Sequence, residues 1–237
     1  MDDCTRFKCS LGLKRKSDVL EAFKQFKAYA ENLYSRKLKA FRDNKGFEFM
    51  SNKFEQFCRN EGVERQHIVR NRPQQNGNAE RANRTLSNLI TGMLTEVNLP
   101  VQFWFHCLIA LIYVLNRCPT ASLKRQTPYE AWHRKKPDVS QVRIWRCLAY
   151  VHVQKDKRTS FGSYMEKCIF VGYLAGYKEW QFYNSASRRF IISERAEFNE
   201  RYFLGIKTSF MDSILLSTIF NPVNSGNMPD LGERWCC

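Results

Sequence analysis

The hydrophobic positions of the chain recur with a helical period in several long segments. From Ser17 onwards, apolar residues return at steps of three and four, and lysines and glutamates occupy the other positions. This pattern predicts an amphipathic helix over residues 18–34, with Ser17 and Asp18 as residue types that cap a helix. The same period predicts helices over 51–62 and 79–97.

Shorter alternating stretches predict strands between and after these helices. In the first half of the chain they cover 6–14, 36–42 and 63–69. Alternating strands and helices imply an α/β layer with a partly parallel sheet. In the second half, four short strands separated by polar turns predict a small β barrel, and they cover 147–153, 167–173, 180–184 and 188–193.

The most apolar segment begins at Val101. It predicts a buried helix over 101–117, because Gln102 and His106 interrupt the apolar run and its length is too short to cross a bilayer. We therefore expect no membrane partner. A further short helix is predicted over 127–139, since Pro128 suits a first helical turn.

These elements predict two folded regions and a tail. We expect an α/β domain over residues 1–140 and a β-barrel domain over 141–203. Residues 204–237 fit neither pattern and are left as a tail of unknown order.

Charge narrows the class of partner. Lysine and arginine number 38 against 23 acidic residues, which gives a formal net charge of +15. A domain this basic usually meets polyanions, with nucleic acid first and an acidic membrane surface second. Six arginines between residues 59 and 84 predict a phosphate-facing surface, although a solvated helix face is the commoner explanation of any one of them.

The nine cysteines are scattered without a C-x-x-C pair or a Cys/His cluster of zinc spacing. Several stand inside apolar runs, so we expect small buried side chains in a reducing compartment, and no zinc. The opening MDDCTRFKCS is not typical of a signal peptide. We expect an intracellular protein, in the nucleus or the cytoplasm.

Two carboxylates stand where a metal site could form. Asp43 ends a predicted strand and Glu80 opens a predicted helix. Carboxylate clusters are what Mg²⁺ and Mn²⁺ prefer, and two such ions can hold the oxygens of a phosphoryl displacement. Equally, aspartate is common at turns and glutamate in the first turn of a helix. Spacing alone leaves both interpretations open.

Four separated stretches resemble the integrase region of copia-type retrotransposon Pol polyproteins, from about Asp2 to about Tyr202. They are RDNKGFEF, RPQQNGNAERANRTL, NRCPTASLKRQTPYEAWHRKKPDVSQVRIWRCLAYVHV and EKCIFVGYLAGYKEWQFYN. The resemblance implies a ribonuclease-H-like integrase core, with a mixed sheet and flanking helices, followed by an SH3-like β barrel.

The resemblance also implies roles for individual residues. The family's second catalytic aspartate matches Asp43, and its catalytic glutamate matches Glu80. Both would hold Mg²⁺ or Mn²⁺ while DNA 3′ ends are processed and joined to a target. DNA is the implied partner, and a homo-oligomer is left open. The implied DNA-binding residues are Arg72, Gln75, Asn76, Asn83 and Arg84.

The sequence departs from the family in ways that matter for activity. The segment carrying the family's first catalytic aspartate and the zinc module is absent upstream, and Asp2 and Asp3 match a non-catalytic pair. We therefore expect a truncated core whose metal site is incomplete and whose activity is absent or very weak. The alternatives are a non-catalytic nucleic-acid-binding protein and a decayed transposon remnant. Arg146 also replaces a family glycine, which predicts strain if that position needs a left-handed backbone.

Overall fold

The fold is described here from a computed structural model. The residues that it describes are 1–13, 15–43, 49–67, 77–96, 100–154, 158, 162–174 and 178–204. The tail predicted from residue 204 therefore lies almost wholly outside them. The chain forms two compact units. The first contains Cys9–Arg84, and the second contains Asp2–Lys8 and the described residues from Thr85 onwards.

The first unit packs two helices against a pair of strands. Its helices are α1 (Val19–Tyr34) and α2 (Asn52–Asn60), and its strands are β1 (Ala40–Asp43) and β2 (Glu64–His67). The strands pair in parallel from Ala40↔Glu64 to Asp43↔His67, as the alternation of strands and helices predicted. The helix α3 (Gly77–Glu96) begins in this unit and continues into the second.

Apolar side chains on one face of each helix form the core of this unit. The rings of Phe23 on α1 and Phe54 on α2 lie 5.1 Å apart, and both are buried. The Ser51 hydroxyl caps α2 by accepting a hydrogen bond from the Phe54 amide at 3.2 Å. The predicted amphipathic pattern of α1 is confirmed by its buried residues, although Leu33 is exposed.

The strand predicted over 6–14 is wrong. Within residues 1–13 the structure has only an isolated bridge at Leu11 and Gly12. The Asn116 side chain accepts from the Lys8 amide at 2.9 Å and donates to the Lys8 carbonyl at 2.7 Å. Because a side-chain amide satisfies both backbone groups of Lys8, this residue needs no neighbouring strand.

The second unit contains a five-stranded antiparallel sheet. The strands are β3 (Cys147–His152), β4 (Met165–Tyr173), β5 (Trp180–Asn184), β6 (Arg189–Ser193) and β7 (Ala196–Phe203), in the spatial order β6-β5-β4-β3-β7. Four of these strands were predicted. The fifth, β7, was missed because its sequence AEFNERYF is half charged or amide and exposes most of its side chains.

Two helices of the second unit complete it, α4 (Trp104–Arg117) and α5 (Pro128–His133). In α4, seven residues are buried, and the ring of Tyr113 stacks on Tyr173 of β4 at 3.9 Å. Residues 101–123 are long and apolar enough to span a membrane by length and composition alone. The helix α4 itself, however, is about 21 Å long against a hydrocarbon layer of about 30 Å. The domain boundary predicted at residue 140 stays a prediction, since α4 and α5 share a compact unit with the sheet.

Arg146 lies in the left-handed backbone region, with φ of 68°. Its amide donates to the Phe170 carbonyl at 2.8 Å, and its Nη2 donates to the Leu204 carbonyl at 2.6 Å. Burial lowers the pKa of its guanidinium. Arg146 thus has the left-handed backbone for which the sequence predicts strain. Its two hydrogen bonds hold this conformation directly before β3.

Four of the seven cysteines in the described ranges are buried, namely Cys58, Cys107, Cys147 and Cys168. Burial raises the pKa of Cys107, Cys147 and Cys168 to about 12. These thiols are therefore protonated at neutral pH and pack as small apolar groups.

Candidate carboxylate site

Asp43 lies on the core side of β1. Side chains alternate along a strand, so Asp43 shares its face with Phe41, whose ring contacts Phe23 at 4.7 Å and Phe54 at 5.8 Å. The Asp43 side chain has no exposed surface. Arg42, on the opposite face, is exposed and donates to the Gln66 side chain at 3.1 Å.

Two basic residues of β2 engage both oxygens of Asp43. Arg65 Nη2 donates to Oδ2 at 2.8 Å, and His67 Nδ1 lies 3.1 Å from Oδ1. Arg65 and His67 are two positions apart and share a face of β2, and the parallel register puts His67 directly opposite Asp43. The arrangement of this site thus follows from the pairing of the two strands.

The Arg65 guanidinium is itself enclosed. Its side chain is 8% exposed, and its Cζ lies 5.1 Å from the centre of the Phe54 ring. Its Nε is buried and has no hydrogen-bond partner among the described residues. In such a poorly solvated place, a carboxylate and a guanidinium stabilise each other only as a pair, and removal of either partner leaves an uncompensated buried charge.

Glu80 is exposed in the first turn of α3. It belongs to the same compact unit as Asp43. The helix dipole favours a carboxylate at this position whether or not the side chain binds a ligand. That Glu80 and Asp43 share a metal ion stays a prediction.

The predicted DNA-binding residues are only partly within the described chain. Arg84 is exposed and Asn83 is half-buried, both on α3. Arg72, Gln75 and Asn76 lie outside the described residues, so their placement stays a prediction.

The described residues do not gather three or more His, Cys, Asp or Glu side chains that could hold a metal ion. As arranged, the described part of the site does not fit a divalent cation, because the buried Arg65 guanidinium already lies against the Asp43 carboxylate and no further carboxylate is grouped with it. Sequence reasoning missed both of these partners, since Arg65 was counted among the phosphate-facing arginines. The available signal was the ERQH pattern, in which two basic residues fall on one face of a predicted strand.

The comparisons with known proteins agree with this architecture. Residues 147–209 match the family described as the retroviral polymerase SH3-like domain. The chain is 35% identical over 183 residues, or 76% of its length, to the retrovirus-related Pol polyprotein from transposon TNT 1-94 of Nicotiana tabacum. It is 25% identical over 86% of its length to the retrovirus-related Pol polyprotein from transposon RE1 of Arabidopsis thaliana. In each case it spans 14% of the relative's length.

A solved structure with similarity to the chain is the HTLV-2 integrase catalytic core domain in complex with magnesium, in its trimeric form. The similarity covers 51% of this chain and 72% of that one, with 21% identity and a TM-score of 0.37.

The predicted fold class, an α/β region followed by an SH3-like β domain, is confirmed. The resemblance indicated by the four sequence stretches is confirmed as well: the chain is related to a segment of the retrovirus-related Pol polyproteins of plant copia-like transposons.

Proposed function

We propose that this chain is a DNA-binding segment of a retrotransposon integrase and takes part in DNA integration. The observation that carries the proposal is its relationship to transposon Pol polyproteins over three quarters of its length. A net charge of +15 supports a polyanionic partner, because each phosphate contact releases counterions and favours binding. A nuclear or cytoplasmic location is part of the same proposal.

The exposed face of α3 supports contact with DNA. Glu80 and Arg84 are four residues apart, so they lie on the same side of the helix, and both are exposed. A second basic surface surrounds α5, where the exposed residues are Lys124, Arg125, Arg134, Lys135 and Lys136. We call these five residues the α5 basic segment. Because these side chains are exposed, they can contact phosphates without disrupting packing in the core.

The proposal retains Asp43 and Glu80 as the positions that match the family's metal ligands. Their carboxylates have the chemistry that Mg²⁺ and Mn²⁺ prefer. The arrangement around Asp43 does not fit such an ion, however, because the buried Arg65 guanidinium already lies against its carboxylate.

A second function is favoured by that same arrangement. Because Arg65 and His67 hold the Asp43 carboxylate in the core, the chain could bind nucleic acid without cutting or joining it. Such a protein needs the basic surface of the fold but makes no use of metal ligands.

DNA binding is tested by fluorescence anisotropy with a labelled duplex over a series of salt concentrations. We expect affinity to fall steeply with salt, and we expect Lys135→Gln/Lys136→Gln to reduce the slope by about 2. Lys24→Gln/Lys53→Gln is the matched control, since it makes the same charge change at exposed or half-buried lysines of α1 and α2, away from the α5 basic segment in the sequence. Affinity that does not depend on salt would refute the proposal.

A strand-transfer assay with Mn²⁺ and duplex oligonucleotides separates the two functions. Product formed by the wild type and lost in Glu80→Gln supports integration by this chain itself. Salt-dependent binding that survives Asp43→Asn and Glu80→Gln, with no product from any variant, supports the non-catalytic function.

A further inference from the structure

We propose that Arg65 is the resident cation of the Asp43 site: its guanidinium occupies the place of a divalent metal ion and keeps such ions away from the carboxylate. This inference rests on the proposed function, since it takes Asp43 as the position that matches a metal ligand in the related integrases. It concerns what occupies that position in this chain.

The first argument is that each carboxylate oxygen of Asp43 already has a basic side chain next to it. Mg²⁺ and Mn²⁺ need a carboxylate oxygen with a free lone pair directed at the ion. Oδ2 of Asp43 accepts from Arg65 at 2.8 Å, and Oδ1 lies 3.1 Å from His67. Each oxygen keeps a second lone pair, but a cation that approached it would lie beside the buried Arg65 guanidinium and be repelled by its charge.

The second argument is that Arg65 is held in place by more than its ion pair. Its side chain is almost fully buried, and its guanidinium packs over the Phe54 ring in the centre of the core of the first unit. A long exposed arginine can swing aside at little cost, but this one would have to leave an apolar contact and re-enter water. The contact with Phe54 thus keeps Arg65 beside Asp43, where it competes with a metal ion for the carboxylate.

The third argument is charge balance. Arg65 and His67, which contact Asp43, are both basic residue types, and no second carboxylate among the described residues is grouped with it. A divalent ion that entered beside Arg65 would face a guanidinium with a single carboxylate to balance both. The Asp43 carboxylate balances the single positive charge of Arg65. It does not balance the three positive charges of Arg65 and a divalent ion together.

The competition has a measurable consequence. The apparent association constant for a metal is the intrinsic constant multiplied by the fraction of molecules in which Arg65 does not contact Asp43. Replacement of Arg65 by a neutral side chain removes the competitor. We therefore expect Arg65→Gln to bind Mn²⁺ at least about tenfold more tightly than the wild type.

The experiment measures binding of Mn²⁺ alone, by the electron paramagnetic resonance signal of the free ion, with the full chain and without DNA. Arg65→Gln is expected to gain binding, and Asp43→Asn/Arg65→Gln is expected to lose it again. Arg42→Gln is the matched control, since it removes the same charge from the exposed face of β1, where Arg42 donates to Gln66. Equal Mn²⁺ affinity in wild type and Arg65→Gln overturns the inference, and so does a gain that persists without Asp43.

Two further arms protect the test against a variant that fails to fold. Arg65→Lys keeps a positive charge at the site and is expected to stay as weak as the wild type. In the wild type itself, excess Mn²⁺ is expected to leave the amide signals of Asp43, Arg65 and His67 without paramagnetic broadening. Broadening at these amides that Asp43→Asn abolishes means that the ion enters beside Arg65 and overturns the inference. If the wild type does not bind DNA, the proposed function is refuted. The conclusion from the metal-binding measurements does not depend on that result.

Discussion

The ring of Tyr113 on α4 stacks on the ring of Tyr173 at the end of β4, with 3.9 Å between their centres and 10° between their planes. The Arg117 guanidinium covers the Tyr113 ring at 3.4 Å. The Tyr173 hydroxyl accepts from the Arg143 amide and donates to the Arg143 carbonyl, each at 3.0 Å. The aromatic contact therefore joins α4 to the sheet, and the hydrogen bonds join the end of β4 to the segment that precedes β3.

Substitutions at Tyr173 are expected to separate these two contributions. Tyr173→Phe keeps the stack and loses the hydroxyl, so it should lower the free energy of unfolding by about 1–2 kcal/mol. Tyr173→Leu also loses the stack and should cost about 1 kcal/mol more. Urea unfolding followed by tryptophan fluorescence measures the difference, because four of the five tryptophans (104, 132, 145 and 180) lie in the second unit. Equal stability of the two variants would contradict the role given to the stack.

Because the φ of Arg146 is positive, glycine and alanine at this position are expected to differ in stability. Both Arg146→Gly and Arg146→Ala remove the bond to the Leu204 carbonyl, but only glycine adopts a φ of 68° without strain. The free energy of unfolding of Arg146→Gly should therefore be about 1 kcal/mol higher than that of Arg146→Ala. The same fluorescence measurement checks it. If alanine proves equal or better, backbone strain at this position is not significant.

The sequence predicted the elements that follow from periodicity and end signals. The helix α1 was visible from its apolar spacing, and α2 from Ser51, which caps it, and Gly62, which has a φ of 67° just beyond it. These signals are local, so they need no knowledge of the tertiary fold. The strand expected over 6–14 failed because a distant side chain, Asn116, pairs with the Lys8 backbone, and no local pattern contains that contact.

The candidate site was predicted only in part for the same reason. The position of Asp43 at the end of β1 was predictable from the strand pattern, but its burial depends on which face of β1 meets the helices. Its pairing with Arg65 and His67 depends on the register between β1 and β2, which are separated by 20 intervening residues of sequence. That relationship exists only in the folded chain.

His106 is expected to make stability depend on pH. It is buried on α4, and its ring stacks on Phe190 at 4.8 Å. Burial lowers its pKa from 6.5 to about 4. Since the unfolded chain binds a proton at higher pH than the folded one, its contribution is complete above pH 6.5 and is lost as pH falls towards 4.

The size of this loss is about 3 kcal/mol across the window, from the shift in pKa. Unfolding in urea between pH 7 and pH 4 measures it, and His106→Leu should flatten the profile. A wild-type profile identical to that of His106→Leu would contradict burial of a neutral imidazole.

Lys27 is expected to stabilise the first unit through a buried ammonium group that pairs with two carboxylates. Its Nζ donates to Glu31 and to Glu61, each at 2.8 Å, and its side chain is 8% exposed. The hydrogen bond to Glu31 is the main cause that raises the pKa of Lys27, and it also lowers the pKa of Glu31. Lys27→Met should cost about 2 kcal/mol, discounted for the exposure of Glu61, because it leaves two carboxylates without their shared cation.

Lys24→Met is the control for that substitution. It breaks an exposed pair with Glu21 on the same helix and should cost less than about 0.5 kcal/mol. Hydrogen exchange of the α1 amides measures both variants within the first unit. Similar losses from the two substitutions would show that burial of Lys27 adds nothing.

The central claim is that Asp43 and Arg65 compensate each other as a buried ion pair in place of a metal ion. A double-mutant cycle with Asp43→Asn and Arg65→Gln, followed by hydrogen exchange of the α2 and β2 amides in the presence of EDTA, tests it most directly. The account predicts that each single substitution destabilises the unit strongly and that the double variant recovers much of the loss, with a coupling energy of about 2–4 kcal/mol. Additive losses, with a coupling energy near zero, would contradict it.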